Sequence, residues 1–211
     1  MDLVKIKQVA FNEMVEKVHW SGEKSGKYYH GERVAELALK LKKYILPDAD
    51  GSHDDIITVA AWFHDCMHGE KEHALVGADR TKILLAEHCS EYEMREIYDI
   101  MYRHDDRYSD RNTFSVYAKI QQDADHLDHL GTNIIWTEFL CSSRNGRNIF
   151  ETIDNLKEIQ KLFWSSTEAQ LNFDISKKIC REKMEFSRLF LERFSVEGTG
   201  RIWNEKIICG E

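Results

Sequence analysis

Proline is nearly missing from this sequence: Pro47 stands alone in 211 residues, and glycine contributes only 11. With so few chain breakers and no Ser/Gly-rich stretch, there is no visible linker. Residues 1–211 therefore read as one domain, long enough to bury a substantial core. No apolar run approaches the roughly 18 residues needed to cross a bilayer. The opening Met1-Asp2-Leu3-Val4-Lys5 starts no signal-peptide pattern. We therefore expect a cytoplasmic protein without a membrane partner. The cysteines (Cys66, Cys89, Cys141, Cys180, Cys209) are odd in number, scattered and without CxxC spacing. That excludes a disulfide framework and suits reduced thiols, with Cys66 a small buried filler. An excess of positive charge is lacking too. The net charge of -8 argues against a nucleic-acid polymer or an anionic membrane surface as partner. A small phosphorylated ligand stays open, because local charge can oppose the net charge. No strand pattern and no internal repeat is visible, so the expected class is all-α. The oligomeric state is left undecided, since no heptad or interface stripe is present.

What is present is helical periodicity, organised around Ile56-Ile57-Thr58-Val59-Ala60-Ala61-Trp62-Phe63-His64-Asp65. A helix apolar on nearly every side belongs inside a protein. It delivers His64 and Asp65 from the core, where unpaired ionisable groups are costly. Before it, residues 2–19 predict an amphipathic helix with Val4, Phe11, Met14, Val15 and Val18 as its apolar set. A polar loop, Ser21 to Lys27, leads to a second helix. There Val34, Leu37, Ala38, Leu41 and Ile45 recur at helical spacing until Pro47 ends it. His30 falls at or near its first turn. After Asp65 comes a polar turn, then a helix from about Glu72 to Glu87 whose small residues suggest close packing. Ser90-Glu91-Tyr92-Glu93 is a capping box for a helix through about Tyr102. Residues 113–129 form a further helix, and Ile134 to Leu140 resume after Gly131. Ser142 to Arg147 read as loop, followed by helices over about 149–164 and 174–194. The core is expected over about 20–140, the C-terminal helices over about 148–195, and a short tail over 196–211.

Three His-Asp pairs occur: His53-Asp54, His64-Asp65 and His104-Asp105. The dipeptide alone is weak, but only the 64–65 pair ends an apolar helix. His53-Asp54 reads as solvated, with Asp54 or Asp55 favoured at a helix N-terminus. His30, His64, Asp65 and Asp125 together give two imidazoles and two carboxylates from three helices. That mixed set suits one first-row divalent ion. Mn²⁺, Fe²⁺, Co²⁺, Ni²⁺ and Zn²⁺ all fit, and Mn²⁺ is placed first. Four protein ligands leave positions for a water and a phosphoryl oxygen.

In this order the residues resemble the HD superfamily of metal-dependent phosphohydrolases. His30-Gly31-Glu32-Arg33-Val34 is similar to its His-x-x-Arg-Val. Ala60 to Asp65 is similar to its apolar run ending in His-Asp. Gln122-Asp123-Ala124-Asp125-His126-Leu127-Asp128-His129-Leu130-Gly131 is similar to its Gln-Asp-Ala-Asp-x-Leu-Asp-x-Leu-Gly. The late helix around Arg181, Phe186, Phe190 and Phe194 looks like the closing helix of small stand-alone members. The resemblance spans about 20–197. It implies an HD-domain helical bundle with additional C-terminal helices, and a hydrolase of phosphate esters or anhydrides. It also makes Asp125 the metal Asp, with Asp123 the competitor two residues away. The Gly-Tyr-Pro signature of the cyclic-dinucleotide subgroup is missing. So is the Glu-Asp that follows His-Asp in alarmone hydrolases.

The expected substrate is a nucleotide, with pyrophosphohydrolysis of nucleoside triphosphates as the leading reaction. A 5′-nucleotidase and a non-catalytic nucleotide-binding module are the alternatives. A dinuclear iron oxygenase would need further ligands, for which His68 and His104 are available. His68, Glu70 and Lys71 are candidates for proton relay or phosphate contact in the turn after Asp65, with His73 a partner for that turn. Arg33 is a candidate phosphate clamp. His104, Arg107 and Asp128 are candidate substrate contacts. Asp128 lies one turn from Asp125, where it can also orient a ligand histidine. Tyr28 and Tyr29 are candidates for stacking on a base, with a core role the more usual one for such aromatics.

Overall fold

The computed structural model describes residues 1–19, 21–106 and 108–204, with 163–165 as helix backbone. Arg107, Ile207, Ile208 and Cys209 lie outside the described residues. Among the described residues the chain forms helices joined by turns, with two short 3₁₀ segments and one isolated β-bridge between Val18 and Lys24. The helices are α1 (Leu3–Met14), α2 (Gly26–Ile45), α3 (Asp54–Phe63), α4 (His73–Leu84), α5 (Glu91–Arg103), α6 (Val116–Asp128), α7 (Thr132–Arg144), α8 (Ile149–Gln170) and α9 (Asp174–Glu197). None is long and apolar enough to cross a membrane.

Helix α3 is the centre. Ile56, Ile57, Val59, Ala60, Ala61, Trp62 and Phe63 are all buried. Two carboxylates, Asp54 and Asp55, open it, where the helix dipole favours negative charge. Its packing is heaviest against α2, and Gly31 explains the closeness. A Cβ at Gly31 would stand 2.9 Å from the carbonyl oxygens of both Ala61 and Trp62. Helices α1, α5 and α6 close the other sides. Ser90 and Glu93 form the expected capping box of α5.

Several boundaries differ from the periodicity. Helix α1 stops at Met14, so its buried stripe is Ile6, Ala10 and Met14 at four-residue spacing. Val4 and Val18 are exposed instead. Small Ala10, and Ile6 between two lysines, hide that stripe in the sequence. Helix α7 extends to Arg144 into the expected loop, and α8 runs on to Gln170. The principal core draws on α1 to α6 and the first half of α9. A smaller cluster of Ile153, Leu156 and Leu191, backed by Phe194, joins α8 to α9. The described cysteines are free. Cys66 is fully buried, and burial pushes its thiol up to about 11.

Candidate metal centre

Three helices bring the expected residues to one point. His30 lies one turn into α2, His64 is the C-cap of α3 with Asp65 next to it, and Asp125 lies in the last turn of α6. All are buried. The Nδ1–H of His64 donates to the Ala61 carbonyl at 2.8 Å. A carbonyl only accepts, so a proton sits on Nδ1, and it is Nε2 that faces inward. That Nε2 is buried and has no hydrogen-bond partner. It lies 3.6 Å from Asp125 Oδ1 and 3.9 Å from Asp65 Oδ2.

His30 bridges two carboxylates. Nδ1 is 2.8 Å from Asp128 Oδ2, and Nε2 is 3.1 Å from Asp125 Oδ1. Burial alone would lower its pKa, but the bonds to Asp125 and Asp128 outweigh that and raise it to about 9. Burial opposes the charge on Asp65 and Asp125 as well. On Asp65, His64, His104 and Lys27 overcome it; on Asp125, His129, His30 and His64 do. Both carboxyls end well below their usual range.

Asp128 forms a second layer. It holds His30 from behind and accepts from Arg33 Nε and Nη2 at 2.9 Å each. Asn133 Nδ2 donates to it at 2.9 Å. Burial would raise Asp128, but the His30 and Arg33 bonds hold it at about 2. Asp123 faces elsewhere. It accepts from the Asn172 amide and side chain at 2.8 Å and from the Phe173 amide at 3.1 Å. Of the two aspartates, Asp125 is the one beside the histidines.

His104 repeats the geometry of His64. It caps α5, donates Nδ1–H to the Met101 carbonyl at 2.6 Å, and sets Nε2 3.7 Å from Asp65 Oδ1. His73 Nε2 approaches the same oxygen at 3.8 Å. Among the described residues, three groups have the spacing of a metal site: His30, His64 and Asp65; His30, Asp125 and His129; and Asp65, His73 and His104. His68, Glu70 and Lys71 occupy the exposed turn after Asp65, with the His68 ring 5.5 Å from that of His73. Tyr28 is buried edge-on to Phe11, while Tyr29 is exposed.

Two neighbours carried no sequence expectation of their own. Lys27 Nζ lies 2.5 Å from Asp65 Oδ2, both side chains nearly buried. His129 Nε2 lies 3.5 Å from Asp125 Oδ1. The signal was spacing: Lys27 is one turn before His30, and His129 one turn after Asp125.

The donor set fits a divalent ion. An orphaned, buried imidazole nitrogen aimed at two carboxylates is expensive unless a cation is shared between them. His30, with Asp128 behind it, has the carboxylate–histidine arrangement that orients metal ligands.

No protein-family model matches the sequence, and no curated protein is significantly similar to it. Solved structures do match. An HD-superfamily hydrolase from Bacillus thuringiensis is 22% identical, with a TM-score of 0.66 over 95% of this chain and 100% of that one. A protein from Lactobacillus plantarum is 21% identical, with a TM-score of 0.63 over 94% and 97%. YpgQ of Bacillus subtilis, solved in complex with ADP, is 18% identical, with a TM-score of 0.59 over 90% and 93%. The chain has the HD-type fold.

Proposed function

We propose that the chain is a metal-dependent phosphohydrolase acting on a nucleotide, with nucleoside triphosphates cut to release pyrophosphate as the leading reaction. The carrying observation is the unpartnered His64 Nε2, buried among His30, Asp65 and Asp125. The HD-type fold supports it, and so does the ADP bound by YpgQ, which shares that fold.

His30, His64, Asp65 and Asp125 would hold one divalent ion, with Mn²⁺ the first to try. When bound, such an ion supplies Lewis acidity toward a phosphoryl oxygen and a water. The chain's own groups do the rest. Asp128 holds His30 in register through Nδ1, and Arg33 and Asn133 hold Asp128. The Ala61 carbonyl holds the His64 ring through Nδ1. His68, Glu70 and Lys71, on the exposed turn that follows Asp65, are the groups we assign to proton relay or phosphate contact. Burial lowers the His68 pKa, which favours its neutral form. His104 lines the site beside Asp65.

The test is a panel of nucleoside mono-, di- and triphosphates incubated with Mn²⁺-loaded protein, with orthophosphate and pyrophosphate separated. Pyrophosphate from triphosphates, absent in Asp65→Ala, supports the reading. Orthophosphate from monophosphates would make the enzyme a 5′-nucleotidase. No release from any nucleotide by ion-loaded protein would overturn the nucleotide assignment.

A further inference from the structure

We infer that Lys27 is the phosphate-binding cation of this site. The inference rests on the phosphohydrolase reading and deepens it. Lys27 sits in the first turn of α2, three residues before His30, so both side chains leave the same helix face. Its Nζ is 2.5 Å from Asp65 Oδ2, and it is as buried as Asp65 itself. Lysine ammonium groups are almost never buried without a reason.

Charge accounting gives the reason. Asp65, Asp125 and Asp128 are the carboxylates around His30. Arg33 matches Asp128 through a two-pronged bond. A divalent ion among the ligands matches Asp65 and Asp125. Lys27 is then a cation in excess, fixed beside the ion-facing carboxylate and sheltered from water. A surplus positive charge in a low-dielectric site strongly favours an anion. Arg33 is committed to Asp128, and Lys71 is on the exposed turn. Lys27 is therefore the inward ammonium best placed to meet a phosphoryl oxygen while it keeps its contact with Asp65, since an ammonium has three donors.

The alternative is that Lys27 only steadies Asp65. Lys27→Gln separates the two, because glutamine still donates to Asp65 but carries no charge. Titrate parent and variant with Mn²⁺ alone, then titrate the Mn²⁺-loaded proteins with inorganic phosphate, and measure KM and kcat on the substrate found above. We expect Mn²⁺ affinity to change by less than about threefold. Phosphate should bind at least about tenfold more weakly, the scale of one lost charged hydrogen bond, and KM should rise with it. Lys27→Arg should recover part of the loss, and Lys27→Met provides a second neutral variant should Lys27→Gln fold poorly. Phosphate binding unchanged in the neutral variants overturns the inference. So does an equal loss of Mn²⁺ and phosphate affinity, which would make Lys27 a support for Asp65. If parent protein binds Mn²⁺ but neither phosphate nor any phosphorylated substrate, the phosphohydrolase reading fails and this inference falls with it.

Discussion

Asp128 shows how much of this site lies behind the residues that face it. It touches His30, Arg33 and Asn133, so its removal should loosen His30 without touching the ion. We expect Asp128→Ala to weaken Mn²⁺ binding by about 10–100-fold, the usual cost of losing a partner behind a ligand histidine. Titration calorimetry checks this, and unchanged affinity would show that His30 needs no support. The count of ions tests the neighbouring cluster. One ion per chain, retained in His73→Ala and lost in His64→Ala, is the expected result. A second ion that disappears in both His73→Ala and His104→Ala would extend the centre across Asp65. His30, His64, Asp65 and Asp125 were legible in the sequence because each sits at a recognisable place on an apolar or half-apolar helix. Lys27 and His129 were not, because their nearness to Asp65 and Asp125 comes from one turn of helix geometry beside His30 and Asp125. His104 is a candidate substrate contact from its place in the sequence, and it lies buried beside Asp65 because α5 packs against α3.

Among the elements, the α2–α3 contact sets the site's geometry, since it carries His30 on one side and His64 on the other. Gly31 permits it. A methyl group there has backbone on two sides and no flexible neighbour to displace. We expect Gly31→Ala to destabilise the protein by about 1–3 kcal/mol, the range for overpacking. It should also weaken Mn²⁺ binding, because the two ligand helices are pushed apart. Denaturant unfolding and metal titration on the same variant check both effects. The α1–α4 contact offers a pH test. Arg80 donates to Glu13 and, with Lys17, lowers its pKa from 4.5. A depressed carboxyl contributes stability above its unfolded pKa, and that contribution is lost as pH falls through the folded value. Arg80 is half open to solvent, so the pair is worth less than about 1 kcal/mol. Glu13→Gln should therefore lower Tm slightly near neutral pH and not at all in strong acid. A deficit that persists in acid would contradict an ionic origin. The helices themselves were mostly legible, but their ends were not. Helix α1 stops early because the chain turns at Lys17 to reach the Val18–Lys24 bridge, a tertiary demand no periodicity carries.

At the scale of the molecule, Asp123 ties the helix that carries Asp125 to the start of α9. It is fully buried, and burial raises its pKa despite the bonds it accepts. Removing it strands the Asn172 and Phe173 amides, so Asp123→Ala should cost about 2–4 kcal/mol of stability. Asp125→Ala should instead show its distinctive loss in Mn²⁺ affinity, because its carboxylate stands beside His30 and His64. Mn²⁺ titration of the two variants side by side separates the two aspartates, and equal losses of affinity would contradict that division. The all-helical class and the HD-type arrangement could be read from the order of the three motifs. The way α8 and α9 close over a second small core could not, since their faces alternate charge and apolar residues almost evenly.

The most direct test is to titrate metal-stripped protein with Mn²⁺ near neutral pH, with Asp65→Ala in parallel. We expect the parent to bind one ion tightly and the variant to bind it at least about a hundredfold more weakly, as the loss of a charged ligand demands. A parent that binds no divalent ion, or a variant that binds as well as the parent, would contradict a metal centre at His30, His64, Asp65 and Asp125.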